Sequence, residues 1–262
     1  AYDHEWINKT IYQNAYVRTD SYFDNSPLAS SGLPSKNELE LLNIWKDQIP
    51  SEVFTETFTP PITDGSGNDR KNLLKAKEIL EKEGWFVKNG KLVKDGKEFK
   101  FEFLIVSPSD EKIALAYQSN LKKLGITMDV RTVDSSQYQE RLLSYDFDMI
   151  KRYWGVSLSP GNEQQFYWGS EVGQKDGSRN YPGINSPAVD ALIEKLISAT
   201  NREELTTAIH ALDRVLLWGH YVVPLYHSNK DRIAYWDFFE YPDEIPLYGI
   251  VIESWWINKD KQ

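Results

Sequence analysis

The chain has 262 residues, 40% hydrophobic and 26% charged, with a formal net charge of −9; this length allows one large domain or two smaller ones. Such a balance excludes a nucleic-acid backbone as partner, which needs clustered Lys and Arg, and no window approaches the roughly 18 apolar residues of a membrane span. Cysteine is absent, which removes disulfides, thiolate zinc sites and cysteine nucleophiles together.

Residues 1–20 read as a helix, with Trp6, Ile7, Ile11 and Tyr12 at three- and four-residue spacing. They carry neither an initiator Met nor the basic-then-apolar pattern of a signal peptide, so the chain is expected to be a piece of a longer protein. An irregular stretch, TDSYFDNSPLASSGLPS, precedes a short apolar helix through Leu39, Leu42 and Trp45. The Pro/Thr/Gly-rich segment 50–69 ends in TDGSGND, whose Asn68 or Asp69 caps the helix NLLKAKEILEKEG. In that helix Leu73, Ala76, Ile79 and Leu80 are expected on one face, and Gly84 stops it.

VKNGKLVKDG reads as a hairpin turning at Asn89–Gly90. Then FKFEFLIV, ITMDVRTV and FDMIKRYW read as strands, separated by the helices SDEKIALAYQSNLKKLG and SSQYQERLLSY. Strand–helix–strand–helix–strand with short links means crossovers and a substantially parallel sheet, whose ligands collect beyond the carboxyl ends of the strands. Two amphipathic helices follow. Ser186–Pro187 opens one with the stripe Val189, Leu192, Ile193, Leu196 and Ile197. Asn201 with Glu204 resembles a capping box for the other, carrying Leu205, Ile209, Leu212 and Leu216. YVVPLYH and DRIAYW read as strands, and the last 20 residues are mixed.

The aromatic content, 13% with nine tryptophans, exceeds what an ordinary core needs and asks for a surface that takes a flat ligand or a peptide. The excess is concentrated in RYWGVSLSPGNEQQFYWGS, residues 152–170, which leaves the carboxyl end of the third strand, where a ligand would sit.

Catalytic patterns are poor. His220 and His227 lie seven apart across an expected strand and so point to opposite faces, which argues against a shared metal. TDGSGND has Asp64, Ser66 and Asn68 at alternate positions, but Asp69 and Lys75 replace the Gly and Glu of a calcium loop, so a turn plus helix cap is the better reading. In GVSLS, Ser159 stands where a nucleophile elbow needs its second Gly. Paired acids for glycoside chemistry are a live competitor because aromatic clefts stack sugars, yet Glu163 is the one acid between Arg152 and Tyr167.

Segments in order carry a resemblance over nearly the whole chain. KAKEILEKEGW, LKKLGITMDVRTVDSSQYQERLLSYDFDMI, NYPGINSPAVDALI and LDRVLLWGHYVVPLYH resemble the carboxyl-terminal part of the family-5 extracellular solute-binding proteins of bacterial peptide and nickel importers. AYDHEWINKTIY, RTDSYFDNS, ASSGLPS and SPGNEQQFYWGS are similar to the Yej-type branch, receptors for oligopeptides and microcin-C-like peptide conjugates.

The resemblance implies an α/β lobe of a two-lobed (class II, cluster C) periplasmic binding protein, a mixed sheet with flanking helices that closes on its ligand by a hinge. Residues 21–228 resemble the second lobe. Residues 1–20 and 229–262 resemble strips of the first lobe, whose amino-terminal body is absent, so Trp255 and Trp256 are expected to lack their normal packing partner.

It also implies a periplasmic location, an inner-membrane ABC permease as partner, no cofactor and no chemistry. A receptor of the same fold for a carbohydrate, opine-like or metal-chelate ligand is the alternative. By resemblance the cleft-lining Trp matches Trp154, and backbone at Gly155 and Val156 would pair with an extended ligand. The family's acid for a peptide amino end falls near Ser157, which carries no charge, and this suits a blocked or unusual peptide end. Further contact candidates are Tyr138, Arg152 (placed to meet a carboxylate or phosphate), Asn162, Gln165, Tyr167, Asn180 and Tyr181.

Overall fold

A computed structural model describes residues 1–246 and 249–261. In chain order its first elements are α1 (His4–Thr10), β1 (Val17–Arg18), α2 (Lys36–Leu42), α3 (Glu52–Thr55) and α4 (Arg70–Lys82). The expected helix over 1–20 is therefore one short helix. Gln13 and Asn14 adopt φ of 53° and 59°, and the Asn8 amide brackets the Tyr16 backbone, donating to its carbonyl at 2.7 Å and accepting from its N–H at 3.2 Å. This side-chain clamp replaces the helical ladder. Asp69 caps α4 by accepting from Asn72 N. Leu73, Ala76 and Leu80 pack on the core, but Ile79 is 53% exposed, off the face expected for it.

The strands β2 (Phe86–Lys88), β3 (Lys91–Lys94) and β4 (Lys97–Glu98) form a meander, turning where Asn89 and Gly90 both take positive φ. Next come β5 (Lys100–Ile105), α5 (Pro108–Lys123), β6 (Thr127–Thr132), α6 (Ser135–Leu143) and β7 (Met149–Ile150). Their sheet is parallel in the order β6-β5-β7, as crossover units require. The meander is joined to this unit at Gly125, whose carbonyl accepts from Leu92 N at 2.7 Å. A Cβ on Gly125 would lie 2.8 Å from Leu92 N at φ +79°, so only glycine fits.

β7 is far shorter than the expected FDMIKRYW strand. It meets β5 through Phe103↔Met149 and Leu104↔Ile150, and the chain then peels away as irregular backbone through Gly161.

The remaining elements are α7 (Glu163–Trp168), α8 (Pro187–Ile197), α9 (Arg202–Trp218), β8 (Tyr226–His227), β9 (Phe239–Glu240) and β10 (Trp256–Ile257). Val189, Leu192, Ile193 and Leu196 of α8 are buried against Ile209, Leu212 and Leu216 of α9, while Ile197 ends the stripe at the surface. Fully burying such a side chain contributes about 1.5–3 kcal/mol. Asn201 caps α9 through Glu204 N, but the return bond from Glu204 goes to Thr200, one residue outside a true capping box.

The YVVPLYH strand shrinks to β8, paired with β1; Pro224 lacks the N–H a longer ladder needs. DRIAYW forms no strand. His220 lies beyond the end of α9 at φ 51°, not on a strand, so the opposite-faces argument about His220 and His227 does not apply.

Successive residues of α9 fix the loop 21–32. The buried Asp213 carboxylate accepts from Ser21 Oγ (2.8 Å), Tyr22 N (2.8 Å), Ser30 N (3.0 Å) and Ser30 Oγ (2.7 Å). Burial pushes its carboxyl upward, and these hydrogen bonds oppose the push. Arg214 binds the carbonyls of Ser31 and Gly32 and pairs with Glu38 at 2.6 Å.

In the strip 229–262, Leu247, Tyr248 and Gln262 lie outside the described residues. Trp256 is 48% exposed, and Trp255 rests on Tyr235 and Tyr241.

Candidate functional site

The site lies where β5, β6 and β7 end. Asp110, in the first turn of α5, holds Lys151 at 2.6 Å, and the same ammonium reaches Tyr226 Oη at 3.1 Å. The next residue turns the other way. Arg152 donates from Nη2 to Tyr181 Oη at 3.3 Å, with its guanidinium 5.1 Å from that ring's centroid. Tyr138, buried in α6, donates from its hydroxyl to the Lys151 carbonyl at 3.3 Å. Burial pushes that phenol up, and the neighbouring Arg152 opposes the push.

Trp154 lies half-buried between Trp168, at 4.8 Å, and Tyr181, at 6.3 Å, and its indole N–H donates to the Arg179 carbonyl at 3.2 Å. Beyond Trp168 stands Tyr22, edge-on at 5.0 Å; beyond Tyr181 stand Tyr145 and Phe147. The result is a continuous aromatic wall drawn from four separate stretches of chain. Along its edge the backbone N–H and C=O groups of Tyr153, Trp154, Gly155 and Val156 make no hydrogen bond among the described residues. Exposed backbone of this kind is what an added extended chain pairs with. The segment is pinned farther on, where Ser157 Oγ accepts from Ser159 N and Arg202 binds the Leu158 carbonyl.

The sequence-expected residues thus separate. Arg152, Trp154, Tyr181 and Tyr138 converge, and Gly155, Val156 and Ser157 form the exposed edge beside them. Asn162, just before α7, and Gln165, on it, are exposed, with no side-chain hydrogen bond among the described residues. Tyr167 is core, 8% exposed. The buried Asn180 amide is fully occupied: it donates to Gly169 O and Ile184 O and accepts from Ile184 N, closing the turn before α8. Those two residues shape the loop from behind. Tyr22, Trp168, Tyr145 and Arg179 were missed as contacts, although Trp168 lay in the aromatic stretch 152–170 and Tyr22 and Tyr145 in segments singled out by their pattern. The described residues contain no group of three or more acids, histidines or cysteines able to hold a metal.

The model of the bacterial extracellular solute-binding proteins, family 5 Middle, matches residues 1–176. The uncharacterized protein y4wM of Sinorhizobium fredii is 49% identical over 259 residues, covering 98% of this chain and 39% of that protein. The probable peptide-binding protein YejA of Agrobacterium fabrum is 42% identical over 262 residues, 99% of this chain and 43% of its own length. Among solved structures, the oligopeptide-binding protein AppA of Bacillus subtilis, in complex with a nonapeptide, superimposes with a TM-score of 0.64 at 23% identity. That match covers 98% of this chain and 45% of AppA, and it shows a shared fold. This chain spans about two fifths of the length of these curated relatives. With the family pattern matched across two thirds of its residues, the chain belongs to the family-5 bacterial extracellular solute-binding proteins.

Proposed function

We propose that this chain supplies one ligand-binding lobe, residues 21–228, of an oligopeptide receptor serving an ABC importer. In this reading residues 1–20 and 229–262 belong to the other lobe, whose main body is a further stretch of polypeptide. The ligand lies between the lobes in the periplasm, and closure presents the receptor to an inner-membrane permease. Binding proceeds without chemistry.

The observation that carries this reading is the unpaired backbone of Tyr153–Val156 beside the Trp154 wall. A peptide can add there as an extended chain, its side chains against aromatic faces and water. The peptide-binding name of the Agrobacterium relative and the nonapeptide held by AppA support the same class of ligand. Uncharged Ser157 favours peptides or conjugates with a blocked or unusual amino end.

The test is native mass spectrometry of the complete receptor, purified without refolding and then denatured to identify what is released. A ladder of peptide masses is expected. A single sugar or metal-complex mass would overturn the peptide reading and leave the fold intact.

A further inference from the structure

We infer that a polar recess beside α1 is the seat on which the rest of the receptor polypeptide docks, presenting a carboxylate to Arg18. The inference rests on the reading above that residues 1–20 belong with the other lobe. The recess, about 400 Å³ in volume, lies between α1 and the loop before α4; its walls include His4, Glu5, Arg18, Thr63 and Asp64.

Buried polar atoms set this recess apart. His4 is 5% exposed, and its Nδ1 has no hydrogen-bond partner among the described residues. Arg18 Nε and Nη1 are buried without a partner as well. The Arg18 guanidinium rests 5.0 Å from the Tyr2 ring centroid, a contact that orients the charge without neutralising it. Next to His4 in the chain, Tyr2 Oη and Asp3 Oδ2 are likewise buried and unpartnered. Burial lowers the Arg18 guanidinium and the His4 imidazole alike, as it does for cations withdrawn from water. Each such group costs stability until something meets it.

The acids already present are engaged elsewhere. Glu5 Oε2 accepts from Thr63 N at 3.0 Å, and Asp3 Oδ1 accepts from Trp6 N at 3.0 Å and from Thr63 Oγ1 at 2.6 Å. Asp64 Oδ1 accepts from Ser66 N at 2.9 Å. Arg18 enters no ion pair among the described residues.

A polypeptide fits this set better than a free ion. The unmet atoms mix donors on Arg18 with an acceptor on Asp3, and the Tyr2 hydroxyl and His4 Nδ1 can act as either. A lone anion satisfies donors alone, and Glu5 and Asp64 on the walls repel it. A stretch of chain brings a carboxylate for the Arg18 fork and backbone N–H and C=O groups for the remainder. More than half the length of the curated relatives lies outside their match to this chain, so such a stretch has ample source.

The test is carbodiimide coupling of the complete receptor carrying Arg18→Lys, which places an amine where the guanidinium stood. An amide bond from position 18 to an Asp or Glu outside these 262 residues is expected. Neutralising that acid should speed amide exchange at residues 2–8 about 10- to 100-fold, and Arg18→Gln should do the same without adding to it. Coupling confined to Asp3, Glu5 or Asp64, or no coupling at all, would overturn the inference. If Arg18→Lys does not fold, Arg18→Gln decides: faster exchange at residues 2–8 together with one segment outside this chain supports the seat, and a change confined to this chain overturns it. Hydroxyl-radical labelling of Trp236, 73% exposed here, separates the two readings. Trp236 protected in the complete receptor with position 18 coupling only inside this chain removes the seat and leaves the lobe assignment standing. Trp236 still reactive, with the same internal coupling, removes both.

Discussion

The pair α8–α9 and the strip 229–261 are both rich in large apolar side chains, and they use them in opposite ways. Along α9 the run from Ala208 to Leu217 is buried almost without interruption, because residues at helical spacing face α8, α2 and the loop 21–32 at once. In the strip, Trp236, Ile245 and Ile252 are 73%, 65% and 72% exposed. Its regular pairing is two residues of β9 against two of β10. Periodic apolar residues in the first region make their own interior. Aromatic residues without a period in the second make a surface, and apolar surface on that scale marks a place of contact.

The comparison can be broken most directly at Leu212, which is fully buried. Leu212→Ala should cost about 2–5 kcal/mol in urea unfolding; a loss below about 1 kcal/mol would mean that the interior is not close-packed there. Arg214→Met should cost about 3–5 kcal/mol, since it leaves Glu38 buried without its partner at 2.6 Å. If it costs nothing, the pair does not hold the loop.

The same pair sets an acid limit. Burial alone would raise the Glu38 carboxyl, but His210 and Arg214 outweigh it and hold it at about 2 against an ordinary 4.5. A depressed carboxyl stabilises the fold above pH 4.5, and that contribution, about 2–3 kcal/mol, is lost as pH falls toward 2. Its partner has the opposite sign. Glu38 raises the His210 imidazole, so the stabilisation is complete below about pH 6.5 and fades as pH rises through the folded value. Urea midpoints in Glu38→Gln should lose the acid slope and most of the neutral one, since Glu38 is what raises His210, whereas His210→Gln should lose the neutral slope and only lessen the acid one, which Arg214 still supports.

Smaller again, Asn201→Ala removes the cap of α9 and should cost about 1 kcal/mol. At the bottom of the scale, Trp236→Ser in this chain should change stability by no more than about 0.5 kcal/mol. In the complete receptor the same change should cost about 2 kcal/mol or more if the strip meets the other lobe. Equal effects in both would remove the proposed role of the strip.

Much of the first region was legible in the sequence, and little of the second was. The caps at Ser186 and Asp69, the α8–α9 stripe and the order of crossovers follow from local spacing and turn chemistry. Ile79 and Ile197 were assigned to buried faces because periodicity marks a stripe without fixing its width. The strands at β7 and β8 were overextended: alternating apolar residues signal strand, but each pairs over only two residues.

For the site, Arg152 and Trp154 could be placed at a strand end. The wall around them could not, since Trp168 meets Trp154, Tyr22 meets Trp168 and Tyr145 meets Tyr181 only through tertiary packing. Asn180 and Tyr167 were placed among ligand contacts because polar and aromatic residues in a turn-rich stretch look available. The fold uses them first, one to satisfy a turn's own backbone and the other as core.

The double pin at Asp213 and Arg214 also has a mechanical meaning. Because the two residues are adjacent on one helical turn, any rotation or slip of α9 must break hydrogen bonds to both ends of the loop 21–32. Tyr22 rides in that loop and touches Trp168, which touches Trp154. Helix, loop and aromatic wall therefore travel as one solid piece, like the jaw of a clamp. Beside them, the pairing of β1 with β8 is only two residues long.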